Sequence, residues 1–292
     1  MTQPRALVRM NPLARQLQKL AVMLWIIPGL FGLSTSAAQL KPETAEGFEA
    51  YVKATEARME EDLRNDQFLV IDHLPDLQRK EAYDQLQHGQ IHIEELHSLQ
   101  DHHPIHIPGG MVHHWVGVSF IPQATISETD SVLHDYDNEA RIYSPQIQRA
   151  KLIEQHGNIS KIYLQFYSKS IITVVLNAYF DVMETQIASS RIQSASRSTR
   201  IVEVVNPGSP DEHERTDGTD HGYMWRLCSY WRLEEKDGGV YVENESITLT
   251  RTVPLMFAWL VNPLTKSIPR DVLIHTLTNT EKAVKNAKTT SN

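Results

Sequence analysis

The feature that most constrains the fold is a succession of long strand-like segments between residues 111 and 252. Apolar and polar residues alternate along most of them, and alternation of this kind predicts strands with one apolar face. The turn sequence Lys236-Asp237-Gly238-Gly239 is a strong signal for a hairpin between two of these strands. A largely antiparallel sheet is therefore expected. The predicted strands cover residues 111–121, 151–155, 159–167, 171–185, 187–205, 223–234 and 240–252.

Helical patterns lie on both sides of this region. Residues 43–64 carry apolar side chains at helical spacing, which predicts an amphipathic helix. Ser267 and Pro269 offer the start of a last helix, whose stripe is Leu273, Leu277, Thr280 and Val284. Such a helix can cover the apolar face of a curved sheet. The remaining predictions are short strands at 68–74 and 90–96, a helix-permissive stretch at 128–143 and a short apolar segment at 255–261.

Several segments of the sequence resemble exported bacterial proteins of the START-like superfamily, also called the helix-grip or polyketide cyclase/SRPBCC superfamily. They are HHWVGVSFIP (113–122), SRSTRIVEV (196–204), DHGYMWRLCSYWRLEEKDGGVYVENESITLTR (220–251) and SIPRDVLIHTL (267–277). The resemblance covers about residues 111–285. It implies an α+β fold in which a curved antiparallel sheet wraps around a long C-terminal helix. The expected division is residues 39–110 as an N-terminal extension and 111–288 as the START-like domain.

Such proteins hold hydrophobic small molecules, such as lipids, sterols, quinones or polyketides, in a cavity between sheet and helix. Some are cyclases, hydratases or hydrolases. They share no common set of catalytic residues, so the resemblance assigns none here.

The first 38 residues are typical of a secretory signal peptide. Four basic residues precede the 14-residue apolar run Leu20–Leu33, and Ser34–Ala38 offers a small-residue cleavage site. The run is shorter than the ~20 residues of a membrane-spanning helix. We expect cleavage near Ala38 and export to the periplasm or the medium. An uncleaved anchor is the alternative.

Charge and cysteine content exclude several classes. The full chain has a formal net charge of −8, and without the four basic residues of the signal it has 24 basic against 36 acidic residues, a net charge of −12. Nucleic acid is therefore not an expected partner. The single cysteine, Cys228, excludes an intramolecular disulfide and a lipid-modified N-terminal cysteine.

Alternation along the strands nominates the residues that line the cavity. In the segment 223–252 we place the odd-numbered apolar residues on the inner face, and in 159–182 the even-numbered ones. An apolar wall of this kind suits an apolar ligand with a polar handle. The predicted ligand-binding residues are Trp225, Leu227, Trp231, Ile247, Leu249, Phe166, Leu176, Phe180 and Arg200.

Three ionisable residues are candidates for acid or base catalysis. Glu243 and Glu245 share the parity of the predicted inner face, and His114 shares a face with Val112, Val116, Val118 and Phe120. Structural salt bridges or solvent exposure are the alternative explanation for the two glutamates, because a buried charge needs a partner. A hydrogen-bonded core histidine is the alternative for His114. Arg200 either pairs with one of the glutamates, binds a ligand carboxylate or lies on the surface.

Metal and cofactor motifs give no assignment. Eight of the 14 histidines fall between His88 and His114, but their spacing matches no zinc signature, and we prefer adventitious binding. No GxSxG element and no glycine-rich phosphate loop is present in the sequence. We therefore predict no metal and no cofactor.

Three functions stay open at this point. The first is an exported, non-catalytic binding protein for a lipid-like small molecule. The second is a cavity enzyme of the cyclase or hydrolase type that uses Glu243, Glu245 or His114. The third is an interaction module of the cell envelope. The polar loop 206–222 could act as a lid over the cavity, and the apolar segment Leu255–Leu264 could touch a membrane transiently, although burial under the last helix is the simpler explanation. The sequence does not fix the oligomeric state.

Overall fold

The computed structural model describes residues 39–100, 103–169, 173–252 and 255–291, with the backbone alone for residues 100, 255–268 and 290–291. The predicted signal peptide lies outside these residues. Helices within them are α1 (Pro42–Arg64), α2 (Asp76–Gln87), α3 (Ile126–Leu133), α4 (Glu139–Ile142) and α5 (Leu255–Ser291), with 3-10 turns at Val70–His73 and Tyr136–Asn138.

One antiparallel sheet dominates the described residues. The order along it is β1-β4-β11-β10-β8-β7-β6-β5, and the short β9 pairs with β8 beside this path. The strands β2 and β3 form a separate pair. The strands are β1 (His92–Glu95), β2 (Leu99–Gln100), β3 (His103–Pro104), β4 (Gly110–Pro122), β5 (Ile147–His156), β6 (Ile159–Lys169), β7 (Thr173–Ala188), β8 (Arg191–Val205), β9 (His213–Glu214), β10 (Arg226–Lys236) and β11 (Gly239–Arg251).

Helices cover both faces of this sheet. On the face that we call inner, Leu273, Leu277 and Val284 of α5 pack against a cluster that includes Val240 and Val242 of β11. The helices α3 and α4 extend this cover toward β5. On the opposite, outer face, α1 packs with Phe48, Tyr51, Val52 and Met59 against Ile247 and Leu249. The arrangement is the helix-grip, START-like α+β fold that the sequence predicts, and its sheet carries a helix on both faces.

The close approach of α5 to the sheet depends on a glycine in β4. A methyl group at Gly117 would lie 2.8 Å from Leu277 Cδ1 and 2.6 Å from Ile93 Cδ1, well inside contact distance. The helix therefore crosses the sheet where β4 has no side chain.

The hairpin of β10 and β11 has the turn that its sequence predicts. Lys236 pairs with Gly239, and the two residues between them, Asp237 and Gly238, have φ values of 56° and 75°. Positive φ at both central residues is the tight hairpin geometry that Asp-Gly favours. Because this loop has two residues, odd-numbered residues of β10 lie opposite even-numbered residues of β11.

The segment 68–74 is not a strand, as the sequence pattern suggested, but a turn of 3-10 helix. Its backbone donors find side chains: Leu69 N–H donates to Asp72 Oδ2 at 2.9 Å, and Val70 N–H donates to Glu243 Oε2 at 2.6 Å. Phe68, Leu69 and Ile71 are nevertheless fully buried. The apolar run therefore reports burial in the core and not sheet pairing.

At the C-terminal end the structure has one helix, α5, in place of the predicted short segment followed by a separate helix. No described helix is both long and apolar enough to cross a lipid bilayer.

Candidate functional site

The inner face of the sheet carries a continuous apolar wall away from α5. Phe180 pairs with Ile162 across β6 and β7, and Phe166 pairs with Leu176. Leu227 of β10 joins the same cluster, and Trp231 joins the neighbouring cluster under α5. Five of the predicted ligand-binding residues thus lie on one face, namely Phe166, Leu176, Phe180, Leu227 and Trp231.

Part of this wall is only half-buried. Phe166, Ile201, Leu227 and Trp231 keep intermediate exposure, although their neighbours Phe180 and Leu176 are 3% and 5% exposed. Large apolar side chains on a covered face normally disappear from solvent. The half-buried group therefore marks where the described side chains leave the inner wall incompletely filled.

A short polar row crosses this wall. Ser229 of β10 lies opposite Ser196 of β8 and Ser246 of β11. The Ser196 hydroxyl donates to Ser229 O at 3.2 Å, and Asn244 Nδ2 donates to Ser229 Oγ at 2.8 Å. Hydroxyl and amide groups thus lie between the half-buried Leu227 and Trp231.

Three predicted ligand-binding residues lie on the other face. Trp225, Ile247 and Leu249 belong to the cluster under α1. The inner-face placement of Ile247 and Leu249 is wrong because it gave β10 and β11 the same parity, whereas the two-residue turn puts Cys228 opposite Ile247. Trp225 precedes β10, which begins at Arg226, and so does not follow the alternation of that strand.

Arg200 also points away from the inner wall. Its guanidinium donates to Glu214 Oε2 at 2.5 Å and to Asp217 Oδ1 at 3.2 Å, and it stacks 5.8 Å from the centre of the Tyr179 ring. The same residue lines, with Phe180, a cleft of about 300 Å³ formed by residues of β5, β6, β7 and β8. Arg200 is therefore a surface ion-pair residue, which was one of the three alternatives for it.

The catalytic candidates Glu245 and His114 meet on the outer face, beneath α1. Glu245 Oε1 and Oε2 accept hydrogen bonds from Arg58 Nη2 at 2.5 and 2.7 Å, and His114 Nε2 lies 2.7 Å from Glu245 Oε1. Glu245 is 0% exposed and His114 is 2% exposed. We call the cluster of Tyr51, Arg58, His114 and Glu245 the outer clamp.

The hydrogen bonds of the outer clamp define the proton positions. The backbone N–H of Ser98 can only donate, so the Tyr51 hydroxyl oxygen accepts from it at 2.9 Å. The Tyr51 hydroxyl then donates to His114 Nδ1 at 3.0 Å. The proton of a neutral imidazole is consequently on Nε2, which donates to Glu245. The Ser98 N–H, the Tyr51 hydroxyl and both ring nitrogens of His114 each have a partner in this hydrogen-bond relay to Glu245.

Glu243 forms a second buried ion pair. Its Oε1 accepts from Arg232 Nη1 at 3.2 Å, and Arg232 Nη1 also donates to Phe68 O at 3.0 Å. Arg232 is 1% exposed, and its Nε and Nη2 find no hydrogen-bond partner among the described residues. Such a pair is costly to desolvate, and removal of one partner costs more.

The two glutamates have opposite pKa shifts. Burial raises the pKa of Glu243 to about 7, against the opposing charge of Arg232. Burial alone would also raise the pKa of Glu245, but the hydrogen bond from His114 and the charge of Arg58 outweigh it and lower the pKa to about 2. Glu245 is therefore a permanent anion at neutral pH.

This placement corrects the prediction that Glu243, Glu245 and His114 face the cavity. All three lie on the outer face, enclosed by α1 and the turn at Val70–His73, and the sheet separates them from the inner wall. The sequence analysis missed their partners Tyr51 and Arg58. The seven-residue spacing of these two on the amphipathic α1 places them on one helix face, which was the available signal.

Two further predictions concern segments near the sheet edges. The loop 206–222 is held on the outer face through Arg149–Glu212 at 2.6 Å and Asn177–Glu214 at 2.9 Å. Its other end contacts Glu203, which lies opposite Leu176, through His221 Nδ1 at 2.6 Å, so its role as a lid stays a prediction. Three-ligand clusters of metal-binding side chains occur at one place in the described residues, and it does not include the histidine-rich segment His88–His114. The side chains of Leu255–Leu264 lie outside the described residues, so the membrane contact stays a prediction.

Comparison with known proteins returns structural likeness only. No family model matches the chain, and no curated protein matches it in sequence. Among solved structures, the chain is similar to a STAR-related lipid transfer protein fragment from Xanthomonas axonopodis (14% identity, TM-score 0.43, 66% of this chain and 98% of that chain).

It is also similar to the Zhui aromatase/cyclase from Streptomyces sp. R1128 (12% identity, TM-score 0.42, 60% of this chain and 94% of that chain). A third similar structure is human StAR-related lipid transfer protein 5 (13% identity, TM-score 0.39, 68% of this chain and 84% of that chain). At these identities the likeness concerns the backbone and not the ligand. By its own sheet order and its C-terminal helix, the chain has a START-like helix-grip fold.

Proposed function

We propose that this chain is an exported binding protein for a hydrophobic small molecule with a polar group. The observation that carries the proposal is the half-buried apolar wall of Phe166, Ile201, Leu227 and Trp231 on the inner face. Binding sites for small molecules combine such apolar walls with a few oriented polar groups.

The chemistry of the wall limits the ligand class. Aromatic and aliphatic side chains dominate it, so the ligand is expected to be largely hydrocarbon. The row of Ser196, Ser229 and Asn244 supplies hydroxyl and amide groups without a formal charge. A neutral polar handle, such as a hydroxyl, carbonyl or amide, therefore suits the site better than a carboxylate, particularly because Arg200 is paired elsewhere.

Export belongs to the same proposal. It rests on the basic, apolar and small-residue succession of residues 1–38. Loss of this segment from the mature protein, seen by N-terminal sequencing of the secreted or periplasmic fraction, would support it. A mature protein that keeps Met1 in the cytoplasm would contradict it.

Ligand binding is tested on the chain from Gln39 onward. The purified protein is extracted with organic solvent and the extract analysed by mass spectrometry. The emptied protein is then titrated with 11-(dansylamino)undecanol, a fluorescent probe with an apolar chain and a neutral hydroxyl end. We expect saturable binding that weakens by about tenfold or more in Leu227→Glu, since a charge on the wall lacks a partner.

The matched control is Met183→Glu, which places the same charge on the exposed outer side of β7, where Met183 is 51% exposed. Because Leu227→Glu could fail to fold, Leu227→Trp is measured as well. This variant keeps the wall apolar but fills part of the space on it, so we expect it to bind the probe more weakly than the wild type does. Equal binding in wild type, both Leu227 variants and the control would refute the proposed site.

A further inference from the structure

A cluster outside the apolar wall combines one histidine with two carboxylates. Asp130 and His134 lie four residues apart at the C-terminal end of α3, and Glu184 lies near the end of β7. One donor atom from each of the three residues lies within 4.8 Å of the others. The side chains are about a quarter exposed, at 24%, 26% and 27%. The cluster is thus accessible but sheltered.

The histidine is held in the tautomer that a metal ligand needs. His134 Nδ1 lies 3.0 Å from the backbone O of Asp130, which can only accept, so Nδ1 carries a proton. Nε2 then faces Glu184 Oε2 at 2.6 Å, a distance that requires a proton between the two atoms. A cation bound here would displace that proton, since metal binding to histidine releases protons. Metal-binding histidines commonly donate their other ring N–H to a backbone carbonyl in this way.

The other two donors are also set up for a cation. Asp130 Oδ1 is buried and lies 3.1 Å from His134 Nδ1, so the carboxylate of Asp130 faces the imidazole. Glu184 is fixed through its backbone, because its N–H donates to Asn158 O at 2.9 Å and its O accepts from Asn158 Nδ2 at 2.7 Å. Two carboxylates that converge on one sheltered site favour a positive charge between them.

The cluster borders a cavity that has room for an ion and its water. The cavity holds about 190 Å³, and its wall includes Ser160, Gln155 and Asn158 beside the three ligands. Their hydroxyl and amide groups could hydrogen-bond the water molecules that complete the coordination. Three protein ligands with an open position are the pattern of catalytic zinc sites, in contrast to closed structural sites.

We propose that Asp130, His134 and Glu184 bind a divalent cation of the Zn²⁺ or Mn²⁺ class, with an open coordination position toward this cavity. One imidazole and two carboxylates form a nitrogen and oxygen ligand set that suits these ions. The proposal is independent of ligand binding at the apolar wall.

The test is calorimetric titration of metal-free protein, from Gln39 onward, with Zn²⁺ alone. Wild type is compared with His134→Gln, Asp130→Asn and Glu184→Gln. We expect each variant to lose one equivalent of Zn²⁺, or to bind it about tenfold or more weakly. Co²⁺ is the spectroscopic probe, and its visible absorption should change in the same variants.

The matched control is His156→Gln. His156 Nε2 pairs with Glu154 Oε1 at 2.6 Å, like the His134–Glu184 pair, but it is 78% exposed and has no third ligand in the described clusters. Zn²⁺ held by the histidine-rich segment would persist in every variant as a constant background. The same Zn²⁺ stoichiometry and affinity in wild type and all three site variants would overturn the proposal, provided that circular dichroism shows them folded.

Discussion

At the residue scale, the arginine that satisfies Glu245 decides what this glutamate does. The sequence analysis recognised that Glu243 and Glu245 need partners, but it considered Arg200 from the neighbouring region. The observed partners are Arg232 and, from 187 residues earlier in the chain, Arg58. A contact between residues so far apart leaves no local sequence pattern. The sequence therefore predicted that each glutamate needs a basic partner, but not which residue that partner is. The proximity of Asp130 and His134 could have been predicted, since residues four apart in a helix lie on the same face.

The outer clamp gives a prediction for stability. Arg58→Met keeps most of the side-chain volume but leaves Glu245 buried with His114 as its only remaining polar side-chain partner among the described contacts. We expect the free energy of unfolding at pH 7 to fall by about 3 kcal/mol, in line with the removal of one partner from a buried pair. Urea denaturation measures it.

Arg79→Met is the control for this change. Arg79 pairs with Asp76, which is 94% exposed, and exposed pairs contribute about 0–1 kcal/mol. A loss in Arg58→Met no larger than that in Arg79→Met would show that the clamp is energetically unimportant.

The opposite pKa shifts predict two separate pH effects. Glu245 has a pKa of about 2 in the folded chain against an ordinary value of 4.5, so the stability it contributes is present above 4.5 and lost as pH falls toward 2. Glu243 has a pKa of about 7, so its ionisation costs stability as pH rises from 4.5 to 7.

Denaturation curves measured from pH 2 to 8 can separate the two effects. Glu245→Gln should flatten the dependence below pH 4.5, and Glu243→Gln should flatten it between pH 4.5 and 7. Glu60→Gln, at an exposed position of α1, is the control. Unchanged slopes in both glutamate variants would contradict the assignment.

At the element scale, alternation predicted the long strands of the sheet well but not which residues of neighbouring strands share a face. The hairpin β6–β7 was assigned correctly because Ile162 pairs with Phe180, so both strands have the same parity. In β10–β11 the two-residue turn reverses the parity. The turn sequence Asp237-Gly238 already contained this information, because the loop length fixes the register.

The contact of α5 with β4 gives the prediction at this scale. Gly117→Ala would place a methyl group 2.8 Å from Leu277 Cδ1, so the helix must shift or side chains must leave their rotamers. Overpacking of this kind costs about 1–3 kcal/mol. Thermal unfolding should show a clear decrease in Tm.

Ser119→Ala is the matched substitution on the same face of β4. The Ser119 hydroxyl is buried and finds no hydrogen-bond partner among the described residues. Its removal should be neutral or slightly stabilising, because an unpaired buried hydroxyl is costly. A Gly117→Ala protein as stable as Ser119→Ala would mean that the helix accommodates the methyl group freely.

At the scale of the whole molecule, one sheet carries α5 on its inner face and α1 on its outer face. The sequence predicted the sheet, its C-terminal helix and the N-terminal helix. It did not predict that α1 completes the core on the far side of the sheet, because helical periodicity indicates an apolar stripe without indicating its partner. The division between an extension and a START-like domain stays a prediction.

We expect the two helices that cover the sheet, α1 and α5, to unfold together. Phe48→Ala removes a side chain of α1 that is 1% exposed, and should cost about 3–5 kcal/mol. Hydrogen exchange should accelerate in residues 269–289 of α5 as much as in α1, since both depend on the same strands. Lys53→Ala, on the exposed side of α1, should change neither. Faster exchange in α1 alone would show that the N-terminal helix is a separately unfolding unit.

The sequence separation between the residues of the outer clamp also affects the order in which the chain folds. Arg58 leaves the ribosome 187 residues ahead of Glu245, so α1 cannot complete its docking until β11 has been made. Until then its apolar stripe is open to chaperones, and the nascent chain stays in an unfinished state. For a polypeptide that we propose is threaded across a membrane before it folds, this delay favours translocation, and the core closes only after β11 and then α5 have emerged.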